Sequence, residues 1–110
     1  MEANSLRELD EPGAALRILF ELSKAPQRFS IGELYGVMSA LGVGRTAVDS
    51  SRRALVEAGL AREDREKGSN NRKYTFLSIT LWGEQVADKL WTIQSIMSRI
   101  PSPVAREYLR

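Results

Sequence analysis

Residues 64–76 read DREKGSNNRKYTF, and this stretch decides whether the predicted fold is all helical or contains a sheet. Four charged residues lead into Gly68 and Asn70-Asn71, residue types that tolerate the positive φ angles of turns. The segment 73–79 that follows is β-branched and aromatic, and the short segment 60–62 precedes the charges. The pattern predicts a β-hairpin made of these two strands, joined by a long polar tip.

Three helices are predicted before the hairpin. The first begins at Asp10-Glu11-Pro12 and ends at Ala25-Pro26, because proline suits a first turn and disfavours helix in the residue before it. The second begins at Ser30, which has the capping-box spacing to Glu33, and ends at Gly42. The third covers residues 45–58 and ends at Gly59. The apolar face of the first helix is predicted to contain Leu16, Leu19, Phe20 and Ser23, with Ile18 and Leu22 flanking it.

A fourth helix is predicted from a Thr80 cap to Ile100, where Pro101 and Pro103 end it. Its apolar residues repeat at intervals of four and three, which is heptad spacing. They could pack on the chain's own core, but the stripe is longer than a core of this size can cover. The alternative is a homodimer, with an interface of Trp82, Val86, Leu90, Trp91, Ile93, Met97 and Ile100.

Together these elements predict an α+β, mostly α fold. It is a winged helix-turn-helix with a three-helix core, a two-stranded β wing and a long C-terminal dimerisation helix. The 110 residues suffice for one domain. The expected division is a flexible lead (1–9), the winged helix-turn-helix domain (10–79), the dimerisation helix (80–100) and a tail (101–110).

Composition argues against several classes of function. The chain has no cysteine and no histidine, which removes disulfides, the usual general base and nearly every transition-metal site. We therefore expect neither an enzyme nor a protein with a cofactor. No apolar run approaches a membrane span and no secretory segment follows Met1, so a cytoplasmic protein that does not bind membranes is expected.

The distribution of charge favours a polyanionic partner. The whole chain has a net charge of only +2, but residues 45–73 carry eight basic side chains against five acidic ones. Their net charge of +3 lies in the third helix and the hairpin, where a nucleic-acid contact would most plausibly be made.

Short motifs in the same region resemble those of MarR-type transcriptional regulators. The segment ALVEAGLAR (54–62) has the Leu-x-x-x-Gly-Leu that ends the recognition helix in that family. The segment NNRKYTFLSITLWGE (70–84) has the arginine of the Asp-x-Arg wing turn and the Leu-Thr-x-x-Gly that precedes the next helix. The matching residues are Leu55, Gly59 and Leu60, then Arg72, then Ile79, Thr80 and Gly83, with Ile79 in place of leucine.

The resemblance covers about residues 14–90, and PadR-like and small archaeal winged-helix regulators look similar over the same span. It implies a homodimeric transcriptional regulator that binds double-stranded DNA. Asn70 departs from the pattern, since an aspartate usually stands there. The chain is also shorter than typical members, which have helices at both ends.

In a helix-turn-helix, residues 45–58 would lie in the major groove and the wing, residues 64–73, along the minor groove or the backbone. Asp49 would accept from a cytosine amine or orient Arg53, and Arg52 would reach a phosphate from the edge of the helix. The predicted DNA-binding residues are Arg45, Thr46, Asp49, Ser50, Arg52, Arg53, Arg62, Lys67, Asn70, Asn71, Arg72 and Lys73.

Other interpretations stay open. The exposed face of the third helix could be an ordinary solvated surface, and Asp64 and Glu66 could simply pair with Arg65 and Lys67. A winged helix can also serve as a protein-interaction module of transcription or replication machinery, which the low net charge would suit. A small-molecule effector could bind between Tyr35 and the two tryptophans, although such aromatic residues more often belong to a core.

Overall fold

The computed structural model describes residues 14–24, 27–68, 70 and 72–100. Within these ranges the chain forms four helices and three strands. In chain order they are α1 (Ala15–Ser23), β1 (Arg28–Ser30), α2 (Ile31–Ala40), α3 (Arg45–Glu57), β2 (Ala61–Lys67), β3 (Lys73–Ile79) and α4 (Leu81–Ser98).

Local signals set most helix ends. The Ser30 hydroxyl accepts from the Glu33 N–H and the Glu33 carboxylate accepts from the Ser30 N–H, which confirms the capping box. Gly42 and Gly59 both have positive φ angles, of 82° and 77°, directly after α2 and α3. Thr80 accepts from the Gly83 N–H and so caps α4 as predicted.

The prediction for α1 was partly wrong. Its buried residues are Ala15, Ile18, Leu19 and Leu22. Phe20 and Ser23 instead lie on the side that faces α4, where both contact Trp91. The predicted boundaries at Asp10-Glu11-Pro12 and Ala25-Pro26 lie outside the described residues.

The sheet has three antiparallel strands in the order β1-β3-β2, whereas two were predicted. β1 escaped prediction because it has only three residues, of which only Phe29 is apolar. β3 has the predicted bounds. β2 is longer than predicted and continues through the charged residues to Lys67, because each residue from Ala61 onward is paired with one of β3.

The core lies between the helices and one face of the sheet. Its largest fully buried side chains include Ile18, Leu34, Met38, Leu55 and Leu77. The buried Ser51 hydroxyl accepts from the Ala14 N–H at 3.1 Å, so the interior of α3 is tied to the start of α1.

α4 meets this core through Gly83, Ala87 and Leu90. Gly83 lies against the connection between α3 and β2, and a Cβ atom there would overlap the Leu60 carbonyl oxygen. The small residue therefore permits the close approach of α4. The α+β, mostly helical class is confirmed. No helix in the described ranges has the length and apolar character needed to cross a membrane.

Candidate nucleic-acid interface

The exposed face of α3 carries three of the predicted contact residues in accessible positions. Val48, Ser51 and Leu55 turn inward at helical spacing. Arg45, Thr46 and Arg53 are consequently exposed, and Ser50 is partly exposed, on the opposite side. Among the described residues, no ion pair involves Arg45 or Arg53.

Asp49 belongs to a polar cluster rather than to the free part of this face. Its Oδ1 accepts from the Tyr35 hydroxyl at 2.6 Å and from Arg52 Nε at 3.1 Å. The hydrogen bond from Tyr35 is the largest cause that lowers the pKa of Asp49, and the same bond raises the pKa of Tyr35. The Arg45 guanidinium lies 5.0 Å from the centre of the Tyr35 ring. Tyr35 therefore contacts two residues of α3, Asp49 through its hydroxyl and Arg45 through its ring.

Arg52 is occupied by two carboxylates. Its Nε contacts Asp49 on α3 and its Nη1 contacts Glu63 on β2. The Arg52 side chain is only 21% exposed, which differs from the other arginines of the face. The structure therefore places this predicted DNA-binding residue between protein groups.

The register of the hairpin assigns its side chains to two faces. Side chains directly opposite each other across two strands share a face, and neighbours along a strand alternate. Glu63 is opposite the buried Leu77, so its face is the one covered by the helices. We call it the helix-side face, which comprises Ala61, Glu63, Arg65, Lys67, Lys73, Thr75, Leu77 and Ile79.

The outer face of the hairpin has its charges paired. Arg62 Nε lies 3.1 Å from Asp64 Oδ2, and Arg28 Nη2 lies 2.9 Å from Glu66 Oε2. The Arg28 guanidinium also stands 4.0 Å above the Phe76 ring. These partners differ from the pairing of Asp64 and Glu66 with Arg65 and Lys67 that the sequence suggested, because adjacent strand residues point to opposite faces. The predicted contact Arg62 thus lies on the outer face.

The helix-side face becomes basic beyond the core. Arg65, Lys67 and Lys73 are exposed, and no ion pair within the described ranges involves them. Lys67 and Lys73 stand directly opposite each other, an arrangement that destabilises a sheet unless an anion lies nearby. Sequence reasoning missed Arg65. The alternation from Leu77 would have placed it on this face if the register had been known.

A groove of about 560 Å³ separates this basic surface from the start of α2. Arg52, Glu63, Arg65 and Lys73 are among its lining residues, together with Ser30, Ile31, Gly32, Tyr74 and Thr75. It is open to solvent and lined by basic residues of the hairpin, so an extended anion such as a phosphate backbone could lie against it.

Asn70 organises the tip of the hairpin. Its Oδ1 accepts from the Arg72 N–H at 3.2 Å and its Nδ2 donates to the Tyr74 hydroxyl at 3.0 Å. The Gly68 N–H donates to the Arg72 carbonyl oxygen at 2.7 Å and closes the turn. Arg72 is therefore held through its backbone while its side chain is exposed. The predicted contact Asn71 lies outside the described residues.

The residues predicted for a dimer interface divide into two groups. Leu90 is 7% exposed and belongs to the core, and Trp91 packs edge-on against Phe20 with 5.0 Å between ring centres and donates to the Ser23 hydroxyl. The others leave an apolar surface open. At 100° per residue, Trp82, Ile93, Ile96 and Met97 occupy a sector of about 100° beside the core-facing side of α4, interrupted by Lys89. Val86 of the same sector is half-buried and packs against the core, and the exposed Ile100 lies beyond the end of α4 at Ser98.

The aromatic rings predicted to line an effector pocket contact different parts of the fold. Tyr35 bonds to α3 and Trp91 packs on α1, so the rings proposed to line an effector pocket contact different elements. No three carboxylates in the described ranges come close enough together to hold a metal ion. A scan of protein-family models and a search of curated proteins found no match to this chain.

Proposed function

We propose that this protein is a winged helix-turn-helix that binds double-stranded DNA sequence-specifically as a homodimeric transcriptional regulator. The observation that carries the proposal is the separation of charge around α3 and the hairpin. All three acidic residues of β2 are engaged in ion pairs, whereas Arg45, Arg53 and the bases of the helix-side face have no ion-pair partner within the described ranges. A basic surface of this shape suits a polyanion.

In this proposal α3 enters the major groove. Arg45 and Thr46 stand at its first turn, and Arg53 lies about two turns later on the same face. All three side chains can therefore reach base edges or flanking phosphates. An arginine can donate two hydrogen bonds to guanine, which discriminates the base. Specificity therefore comes mainly from the N-terminal half of α3.

The hairpin then follows the phosphate backbone or the minor groove. Arg65, Lys67, Arg72 and Lys73 supply charge without a fixed protein partner within the described ranges, and a phosphate between the two lysines removes their mutual repulsion. Binding should consequently weaken steeply as salt concentration rises, with a slope of about −0.9 for each phosphate contact.

The apolar surface of α4 supports a homodimer. Exposed apolar side chains that share one helix face mark a partner surface more often than a solvated one. Pairing of two copies through this surface would present two α3 helices to DNA. Operators with two-fold symmetry need such helices about one turn, ~34 Å, apart.

The test of DNA binding is a selection of bound sequences from random duplex DNA, followed by titration of the selected site. Arg53→Ala and Arg72→Ala should each weaken binding, by about tenfold at low salt, and leave the thermal unfolding temperature nearly unchanged because both side chains are exposed. Recovery of no consensus, or unaltered affinity in both variants, would remove the proposal.

The test of the dimer is the sedimentation of the unmodified protein and of a variant with Ile93→Lys and Met97→Lys. The unmodified protein should be a dimer and the variant a monomer, since two charges would be buried at the interface. Leu81→Lys is the matched control because Leu81 is exposed on the same helix but outside the sector. A monomeric wild type, or a variant that stays dimeric, would contradict the proposal.

A second candidate is a winged helix that binds another protein. The exposed Trp82 favours it, since it extends the apolar surface of α4 to the first turn of that helix. Salt distinguishes the two candidates: an apolar protein contact should persist between low and physiological salt, whereas DNA binding should weaken strongly. Asp49, an acid on the exposed side of α3, does not favour this candidate, because Tyr35 and Arg52 already satisfy it.

A further inference from the structure

A chain of polar contacts runs across the candidate interface from α2 to the hairpin. The Tyr35 hydroxyl on α2 donates to Asp49 on α3, and Asp49 accepts from Arg52 one turn later. Arg52 then contacts Glu63 on β2. We call the group formed by Asp49, Arg52 and Glu63 the Arg52 bridge. It joins the helix expected to enter the major groove to the strand that carries the basic side chains.

The bridge is the outermost polar tie that runs from α2 or α3 themselves to the hairpin. Beyond Glu63, no hydrogen bond or ion pair between described residues connects α2 or α3 to β2, the tip or the first half of β3. The helix-side residues further out are Arg65 and Lys67, which are exposed. β1 also holds the hairpin, through its pairing with residues 76–78 of β3 and through the Arg28–Glu66 ion pair. Glu63 adds the polar contact that ties β2 directly to α3.

Arg52 is poorly placed to contact a phosphate directly. Its guanidinium already donates to two carboxylates through Nε and Nη1, so two acids offset its charge, and its side chain is only 21% exposed. Glu63, if released, would leave a negative charge on the helix-side face next to Arg65. Both consequences oppose binding of a polyanion.

We propose that Arg52 is a positioning residue that sets the angle between α3 and the hairpin through Glu63, so that both elements meet DNA at the same time. This inference rests on the proposed DNA-binding function. It reassigns Arg52 from a DNA contact to a residue that acts through another. It also gives an acidic side chain, Glu63, a favourable role in binding an anion.

The proposed role of Glu63 can be tested by whether Glu63→Gln raises or lowers the affinity for DNA. If Glu63 only repelled DNA, Glu63→Gln would tighten binding because one negative charge is lost. If Glu63 holds the hairpin, the same substitution should weaken binding, by about two- to fivefold, the range that one partly exposed ion pair supports. Asp64→Asn is the matched control: Asp64 is the next residue on β2 but pairs within its own strand, so its loss should leave binding unchanged or slightly tighter.

A double-substitution cycle assigns the effect to Arg52. In an Arg52→Gln background, Glu63→Gln should cause no further weakening, because the bridge is already broken. Independent effects of the two substitutions, or binding by Glu63→Gln that is as tight as that of Asp64→Asn, would overturn the inference.

A measurement without DNA separates this inference from the function on which it rests. Amide hydrogen exchange of residues 64–68 should be about two- to fivefold faster in Glu63→Gln than in the unmodified protein and unchanged in Asp64→Asn, since only the former frees the hairpin from α3. Equal exchange in all three proteins would overturn the bridge even if DNA binds. Absence of DNA binding by the unmodified protein would instead overturn the proposed function, whatever the exchange rates show.

Discussion

The two faces of the β2–β3 hairpin differ in how their charges are used. On the outer face, Arg62 pairs with Asp64 and Glu66 pairs with Arg28 of the neighbouring strand. On the helix-side face, the single acid Glu63 is taken by Arg52, and the bases further out have no ion-pair partner within the described ranges. Both faces come from one short run of mixed charges.

The order of charges along a strand does not determine the electrostatic field on each of its faces. Residues 62–67 contain three bases and three acids, which suggests a neutral solvated strand. Alternation places the bases of one face together and lets the acids be neutralised from other elements. A surface that attracts an anion can therefore arise from a segment with no net charge.

The largest expected effect comes from a substitution at the base of the hairpin, which disturbs both of its faces. Gly83→Ala would push the new methyl group into the Leu60 backbone and within 2.7 Å of Ile79 Cγ1, so α4 must move away from the base of the hairpin. We expect a loss of about 3 kcal/mol or more in the free energy of unfolding, measured in urea.

Gly36→Ala is the control for that substitution. Gly36 also lies inside a helix, but nothing stands within 4 Å of the position of its Cβ, so alanine should stabilise the protein by about 0.5–1 kcal/mol. Similar stability of the two variants would show that α4 does not pack closely on Leu60.

The next largest effect concerns the repulsion between Lys67 and Lys73 on the helix-side face. Lys67→Glu places opposite charges across the strands at Lys73, so it should stabilise the free protein by about 0.2–1 kcal/mol. DNA affinity should fall at the same time by about tenfold or more, because a base of the interface becomes an acid. Thermal unfolding and a DNA titration measure the two changes. An affinity that follows stability upward would mean that DNA does not approach this face.

A smaller effect compares the two faces directly. Arg65→Gln and Arg62→Gln remove the same side chain from the same strand, but only Arg65 is on the helix-side face. Arg65→Gln should reduce affinity by about fivefold and lower the steepness of the salt dependence by about one unit, as expected for one phosphate contact. Arg62→Gln should change neither quantity by much. The reverse result would assign DNA to the outer face.

The smallest effect concerns the carboxylate of α3. Tyr35→Phe removes the hydrogen bond that does most to hold the pKa of Asp49 below its ordinary value near 3.8. A carboxyl group with a lowered pKa stabilises the fold above its ordinary pKa and ceases to do so as pH falls through the lower, folded-state value. The variant should therefore lose about 1 kcal/mol near neutral pH, and this difference should shrink below about pH 4.

Urea unfolding between about pH 3 and pH 8 measures this dependence. Tyr74→Phe provides the comparison, because the Tyr74 hydroxyl bonds only to the neutral Asn70 among the described residues. Its effect on stability should not vary with pH. A difference between wild type and Tyr35→Phe that stays constant down to pH 3 would mean that Tyr35 does not hold the Asp49 carboxylate.

Local signals in the sequence determined most of the elements. The Ser30 capping box, the two glycines that follow α2 and α3, and the Thr80 cap each act within a few residues, so they can be recognised without knowing the fold. The β-forming run of β3 has its predicted bounds for the same reason. Exposure of Arg45 and Arg53 followed from the helical period of α3.

The tertiary structure decided which charges remain available and which apolar residues remain exposed. β1 exists because it pairs with β3, and Arg28 reaches Glu66 across 38 positions of sequence. Leu90 is buried while Ile93, one turn later, is exposed, because the contacts of α4 with the core and with α1 include Leu90 and Trp91 but not Ile93. Such outcomes depend on strand register and on where a neighbouring element ends, and neither is encoded in the spacing of residues within one segment.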